Sequence, residues 1–112
     1  MKCGDVCLAN YPFTDFSAAK VRPVLIVSAD RFNIGTDLVV LPISSAPAAN
    51  DPYSIFLPTT SPDFRRSGLR YSSAIKWTKP LTISKSVLPR RLGSLSTSFL
   101  QQVQAAVKDL FA

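Results

Sequence analysis

Two uninterrupted apolar runs constrain this chain most: Pro23-Val24-Leu25-Ile26-Val27 and Leu38-Val39-Val40-Leu41-Pro42-Ile43. Both are short, rich in β-branched residues and bounded by polar or turn residues. Neither alternates with period two, so each reads as a strand buried on both faces. A strand buried on both faces needs cover above and below it, which calls for a curved sheet with further elements packed on it. Each run also carries polar groups at one end. Arg22 opens the first, and Ser44 and Ser45 close the second. A fixed cation beside a hydroxyl suits a phosphodiester.

The rest of the chain reads as short elements. Gly4 to Phe13 is a strand whose end is weakened by Pro12, and Thr14 to Val21 is a polar loop. Asp30 to Thr36 holds Asn33 and Gly35 and reads as a turn, with a helical turn as the alternative. Ala46 to Tyr53 and Pro58 to Gly68 read as loops. Ser54 to Leu57, Tyr71 to Trp77, Pro80 to Ile83 and Val87 to Leu92 read as short strands, the last interrupted by Pro89. After Ser96, a good N-cap, Leu100, Val103, Val107 and Leu110 recur at helical spacing. Together these predict a single domain over residues 1–112, mainly β with α: a small, curved antiparallel barrel of five to seven strands with a C-terminal helix.

Composition narrows the partner. Thirteen Lys+Arg face 7 acids, a formal net charge of +6, and every acid is Asp. Such a balance favours an anionic polymer or an acidic protein segment. The chain has no His. Its two cysteines, Cys3 and Cys7, would lie roughly 13 Å apart on one strand, too far for a disulfide. No zinc site is therefore expected, and no other metal or cofactor. No apolar stretch reaches the length of a membrane span, and the N-terminus lacks a secretory pattern, so a cytoplasmic protein without membrane contact is expected.

Several segments occur together in order: Gly4-Asp5-Val6, Arg22 to Ser28, Leu41-Pro42-Ile43-Ser44, Pro80-Leu81-Thr82-Ile83 and Arg91 to Ser96. In these the chain resembles the MazF/PemK family of toxins from toxin–antitoxin modules. The resemblance spans nearly the whole sequence. It implies an SH3-like barrel and a homodimer. The implied activity is sequence-selective, metal-independent cleavage of single-stranded RNA by an endoribonuclease. An antitoxin with an acidic, disordered tail is the implied partner. By position, the family's catalytic arginine falls on Arg22, and its strand-end Thr or Ser on Ser44. Ser45 is a neighbouring candidate on the opposite face.

One departure is visible. Several members follow a basic residue with an acid two positions later in the strand. Here Lys76 keeps the base, but Thr78 stands where the acid would be and Lys79 where an amide would be. No general base can be named from the sequence, and Asp15 is merely the carboxylate nearest to Arg22 along the chain.

Candidate RNA contacts are Lys20, Lys76 and Thr78, with Phe64, Arg65, Arg66 and Arg70, where a ring is interleaved with cations. The same four residues also fit a solvated basic loop beside a core phenylalanine. Tyr71 and Trp77 read as core or dimer contacts before base platforms. Arg90 and Arg91 suit either backbone contacts or edge protection. Two other functions remain open: a CcdB-like gyrase poison of the same architecture, or an RNA-binding relative without activity. The former is disfavoured because the helix ends Lys108-Asp109-Leu110-Phe111-Ala112 without Trp.

Overall fold

A computed structural model describes residues 1–10, 21–45 and 51–112. It contains β1 (Asp5–Asn10), β2 (Val21–Ile26), α1 (Asp30–Asn33), β3 (Asp37–Ser44), β4 (Ile55–Leu57) and α2 (Pro62–Ser67). These are followed by β5 (Ser73–Ile75), β6 (Leu81–Ser84), a 3₁₀ turn at Lys85–Val87, β7 (Arg90–Ser94) and α3 (Thr97–Leu110).

The strands make one sheet in the order β4-β5-β3-β2-β1-β7, and β6 also pairs with β3. All the pairings are antiparallel. β3 produces the curl. Opposite β2, its other edge pairs with β6 over Asp37 to Val40 and with β5 over Ile43 and Ser44. One long strand thus serves two separate partners, and the sheet bends into a half-barrel. The expected barrel-like sheet with a terminal helix is the observed one.

Burial explains why the two central runs do not alternate. Val6, Leu25, Leu41, Ile43, Leu57 and Ile75 form one core, closed by Leu95 and Val103. Cys7, Ala9, Val24, Ile26, Leu38, Val40 and Ile83 form a second. Neighbouring residues along a strand enter different cores, so both faces are apolar. α3 covers the first core with Phe99, Val103 and Val107, while Leu110 is 39% exposed. Ser96 caps α3 by accepting from the Phe99 N–H at 3.3 Å.

Three expectations about local structure give way. The expected loop from Pro58 to Gly68 holds α2 instead. Ser61 accepts from the Asp63 N–H at 3.2 Å, Pro62 occupies the first turn, and Gly68 ends the helix in the left-handed region at φ 74°. These are start and stop signals, but the segment is too short to show apolar periodicity. The strand expected over Tyr71 to Trp77 is reduced to Ser73–Ile75. The segment expected as Val87 to Leu92 divides, because Pro89 cannot donate to a ladder, and β7 begins only at Arg90. The last residues of the strand expected to reach Phe13 lie outside the described residues.

Candidate active site

The register builds the site. β2 and β3 pair with Val24 opposite Pro42. Two residues further along that register, Arg22 comes opposite Ser44, and parity puts both on the face shared by Val24 and Val40. This face is core along most of its length and becomes polar only at the rim. Arg22 is exposed and Ser44 half-buried.

β5 and the turn after it complete the rim. The Lys76 N–H donates to the Pro42 carbonyl at 3.0 Å, holding Lys76 beside β3. The Lys79 N–H then donates to the Lys76 carbonyl at 3.3 Å, and the turn brings the second lysine back. The result is a cavity of about 330 Å³ lined by Arg22, Ser44, Lys76, Lys79, Pro42 and Leu81, among others. It has three cations and a hydroxyl over an apolar floor. Such a lining attracts an anionic oxygen and repels a metal ion.

A carboxylate that sequence reasoning overlooked stands at this rim. Asp51 Oδ2 lies 3.8 Å from Lys76 Nζ, and its Oδ1 accepts from the Tyr53 N–H at 2.8 Å. The Tyr53 ring meets Trp77 edge-on, with centroids 6.0 Å apart. The residues from Asp51 to Tyr53 thus grip the segment that carries Lys76. The sequence signal was the turn-forming Asp-Pro pair, but its partner lies 25 residues away along the chain.

The other candidates are distributed. Arg70 lines a second cavity, which also reaches Arg22. Thr78 is half-buried in the turn between Lys76 and Lys79 and is absent from the lining of either cavity. Arg65 and Arg66 are exposed on α2 and absent from the lining of both cavities. Phe64 is half-buried and packs against the first core. Trp77 packs there too, whereas Tyr71 is 67% exposed. Lys20 and Asp15 lie outside the described residues.

Neither cysteine adds chemistry. Burial pushes the Cys7 thiol up to about 11, with the nearby Asp5 charge adding to the shift. Burial, and then Asp30, also raises Cys3. Both are free thiols, and raised values keep them protonated and unreactive at neutral pH.

A family model for "PemK-like, MazF-like toxin of type II toxin-antitoxin system" matches residues 2–111. The chain belongs to this family. Among curated MazF relatives it is similar to endoribonuclease MazF6 of Mycobacterium tuberculosis and endoribonuclease MazF2 of Mycobacterium bovis. Each is 28% identical over 93 residues, covering 80% of this chain and 77% of the relative. The MazF fold is shared with a solved MazE–MazF structure from Deinococcus radiodurans, at TM-score 0.77 and 18% identity, over 99% of this chain and 95% of that one. Mycobacterium tuberculosis toxin MazF-mt6 superposes at TM-score 0.72 and 21% identity, over 96% and 95%. A mycobacterial endoribonuclease in complex with its cognate antitoxin does so at 0.70 and 17%, over 99% and 92%. No described helix is long and apolar enough to cross a membrane.

Proposed function

We propose that this MazF/PemK-family toxin is an endoribonuclease that cuts single-stranded RNA by attack of a ribose 2′-hydroxyl on the adjacent phosphodiester. One observation carries the reading: Arg22 and Ser44 come opposite each other at the ends of β2 and β3 and line one cationic cavity.

In this mechanism the scissile phosphate rests on Arg22, with Ser44 aimed at one of its non-bridging oxygens. The new bond joins the 2′-oxygen to phosphorus. The 2′-hydroxyl gives its proton to solvent as the bond to the 5′-oxygen breaks, and the departing oxygen takes a proton from solvent, leaving a 2′,3′-cyclic phosphate and a 5′-hydroxyl. Negative charge grows on the non-bridging oxygens, where a preformed cation is worth most. A guanidinium keeps its proton at neutral pH, so Arg22 acts through its charge. Lys76 and Lys79 are the cations beside the departing 5′-oxygen, and Asp51 is the carboxylate brought to this rim. The cations and hydroxyl perform the charge neutralisation that a metal ion performs in other nucleases, and the proposed reaction needs none.

The wider assembly follows the relatives. The solved structures this chain resembles include a mycobacterial endoribonuclease in complex with its cognate antitoxin, and a charge of +6 suits an acidic antitoxin tail laid over the same rim. A homodimer acting in the cytoplasm completes the reading.

The experiment is digestion of a long RNA by the purified protein in EDTA, with mapping of the cut ends. Cuts at a recurring short word, with cyclic-phosphate and 5′-hydroxyl ends, are expected. Activity lost in EDTA and restored by a divalent ion would falsify the metal-free mechanism. An RNA left intact under all conditions overturns the enzymatic reading and favours a binding protein.

A further inference from the structure

The cavity at Arg22 and Ser44 adjoins a second one at the rim. The second, of about 430 Å³, is lined by Arg22, Arg70, Arg90 and Tyr71, with Ser45 and Leu8 among its walls. The two share Arg22 and Ile43 and differ in the rest of their lining. Ser44 lines the first cavity and Ser45 the second. On β1, Leu8 pairs with Pro23 on one side and with Arg90 on the other, which puts Arg90 on the face opposite Arg22's own row. Arg22 stands at the strand end and borders both.

The second cavity gathers three guanidinium groups. The two ion pairs among the described residues, Lys76 with Asp51 and Arg91 with Asp5, involve none of them. Three like charges around one space repel, and an anionic ligand removes that cost. The space also presents a ring. Tyr71 is 67% exposed, while its carbonyl is held by the Ser73 hydroxyl at 2.7 Å. An exposed aromatic flanked by arginines, over apolar side chains, fits a single-stranded nucleotide: the ring stacks on the base and the guanidinium groups hold the phosphate.

We propose that this second cavity is the subsite for the nucleotide next to the scissile phosphate, with its base on Tyr71 and its phosphate on Arg70 and Arg90. The proposal rests on the RNA-cleaving reading. It adds a consequence for the chemistry. A strand passing from one face to the other must turn sharply at Arg22. The turn unstacks the two nucleotides and lets the 2′-oxygen approach in line with the bond that breaks.

The test uses a short mixed-sequence 2′-O-methyl RNA, which cannot be cut, alongside cleavage of a long RNA. Tyr71→Ala should weaken binding of the methylated RNA about tenfold, and Tyr71→Phe should restore it. The double variant Arg70→Ala/Arg90→Ala should lower the slope of log affinity against log salt by about 0.7 for each phosphate no longer neutralised. Cleavage of the long RNA should fall in parallel with affinity. If the wild-type protein cuts RNA but these variants bind with unchanged affinity and slope, the subsite is wrong and the cleavage reading stands. If the wild-type protein does not cut RNA, the cleavage reading fails, and the subsite with it. A change of mass in light scattering of Tyr71→Ala without RNA would show the cavity covered by a second copy, which also overturns the proposal.

Discussion

The two ends of this sheet treat charge in opposite ways. At the α3 end, carboxylates and amides are consumed by the fold. Asp63 is buried and accepts from the Ser96 N–H at 2.6 Å and the Ser96 hydroxyl at 3.0 Å. Asp5 accepts from the Lys2 N–H at 2.9 Å and pairs with Arg91 at 3.2 Å. Gln104 donates to the Val27 carbonyl at 3.1 Å. At the rim, Arg22, Arg70 and Arg90 form no ion pair with a described carboxylate, and they surround open space. Groups at the first end hold the molecule together. These arginines at the second end pair with no described carboxylate, a state that favours a ligand over stability.

The strongest way to break this comparison is at Arg22. Arg22→Ala should lower RNA cleavage on the order of 100-fold or more while moving the thermal midpoint little. Wild-type cutting by that variant places the chemistry elsewhere. The counterpart at the other end is Asp63→Ala. It leaves the Ser96 N–H without its partner and should cost about 2 kcal/mol in denaturant titration. Its cleavage rate should stay near wild type at temperatures where it remains folded. A variant that keeps full stability removes the structural role of the Asp63–Ser96 link.

Smaller effects sharpen the contrast. Ser44→Ala should lower cleavage about tenfold, less than Arg22→Ala, since a neutral donor contributes less than a charged one. Equal losses for the two would make Ser44 more than an oxygen donor. The smallest effect at neutral pH belongs to Cys7. Its thiol is raised from 9.0 to about 11 by burial. The unfolded chain therefore loses that proton first as pH rises. The associated stability is present below about pH 9 and is lost as pH climbs through about 11. Stability measured across that window should decline for the wild type and decline less for Cys7→Ala. Parallel curves exclude Cys7 as the source.

Legibility in the sequence followed the length scale of the interactions. β2 and β3 were readable because continuous apolar runs record burial on both faces, and α3 because its period and cap are local. Arg22 and Ser44 were readable as strand ends, and register alone then brought them together. α2 was missed because six residues give too little periodicity, although Ser61, Pro62 and Gly68 punctuate it. Phe64 was ambiguous because a sequence does not show which way a single ring turns. The pairing of Asp51 with Lys76, and of Tyr53 with Trp77, depends on contacts between separate loops. The convergence of Arg70 and Arg90 on Arg22 likewise exists only after the sheet has curled.

The junction between α2 and β7 has a consequence for how RNA is met. A Cβ on Gly93 would collide with the Arg66 carbonyl oxygen, and one on Gly68 with that of Leu92. Backbone touches backbone at both places, and no side chain fits between. The helix is therefore welded to the strand, and the segment leading to Arg70 and Tyr71 starts from a fixed anchor. Capturing a flexible strand then freezes the RNA and a few side-chain rotamers, with little further loss of freedom in the protein backbone. Much of the entropy lost in ordering this surface was already spent when the chain folded.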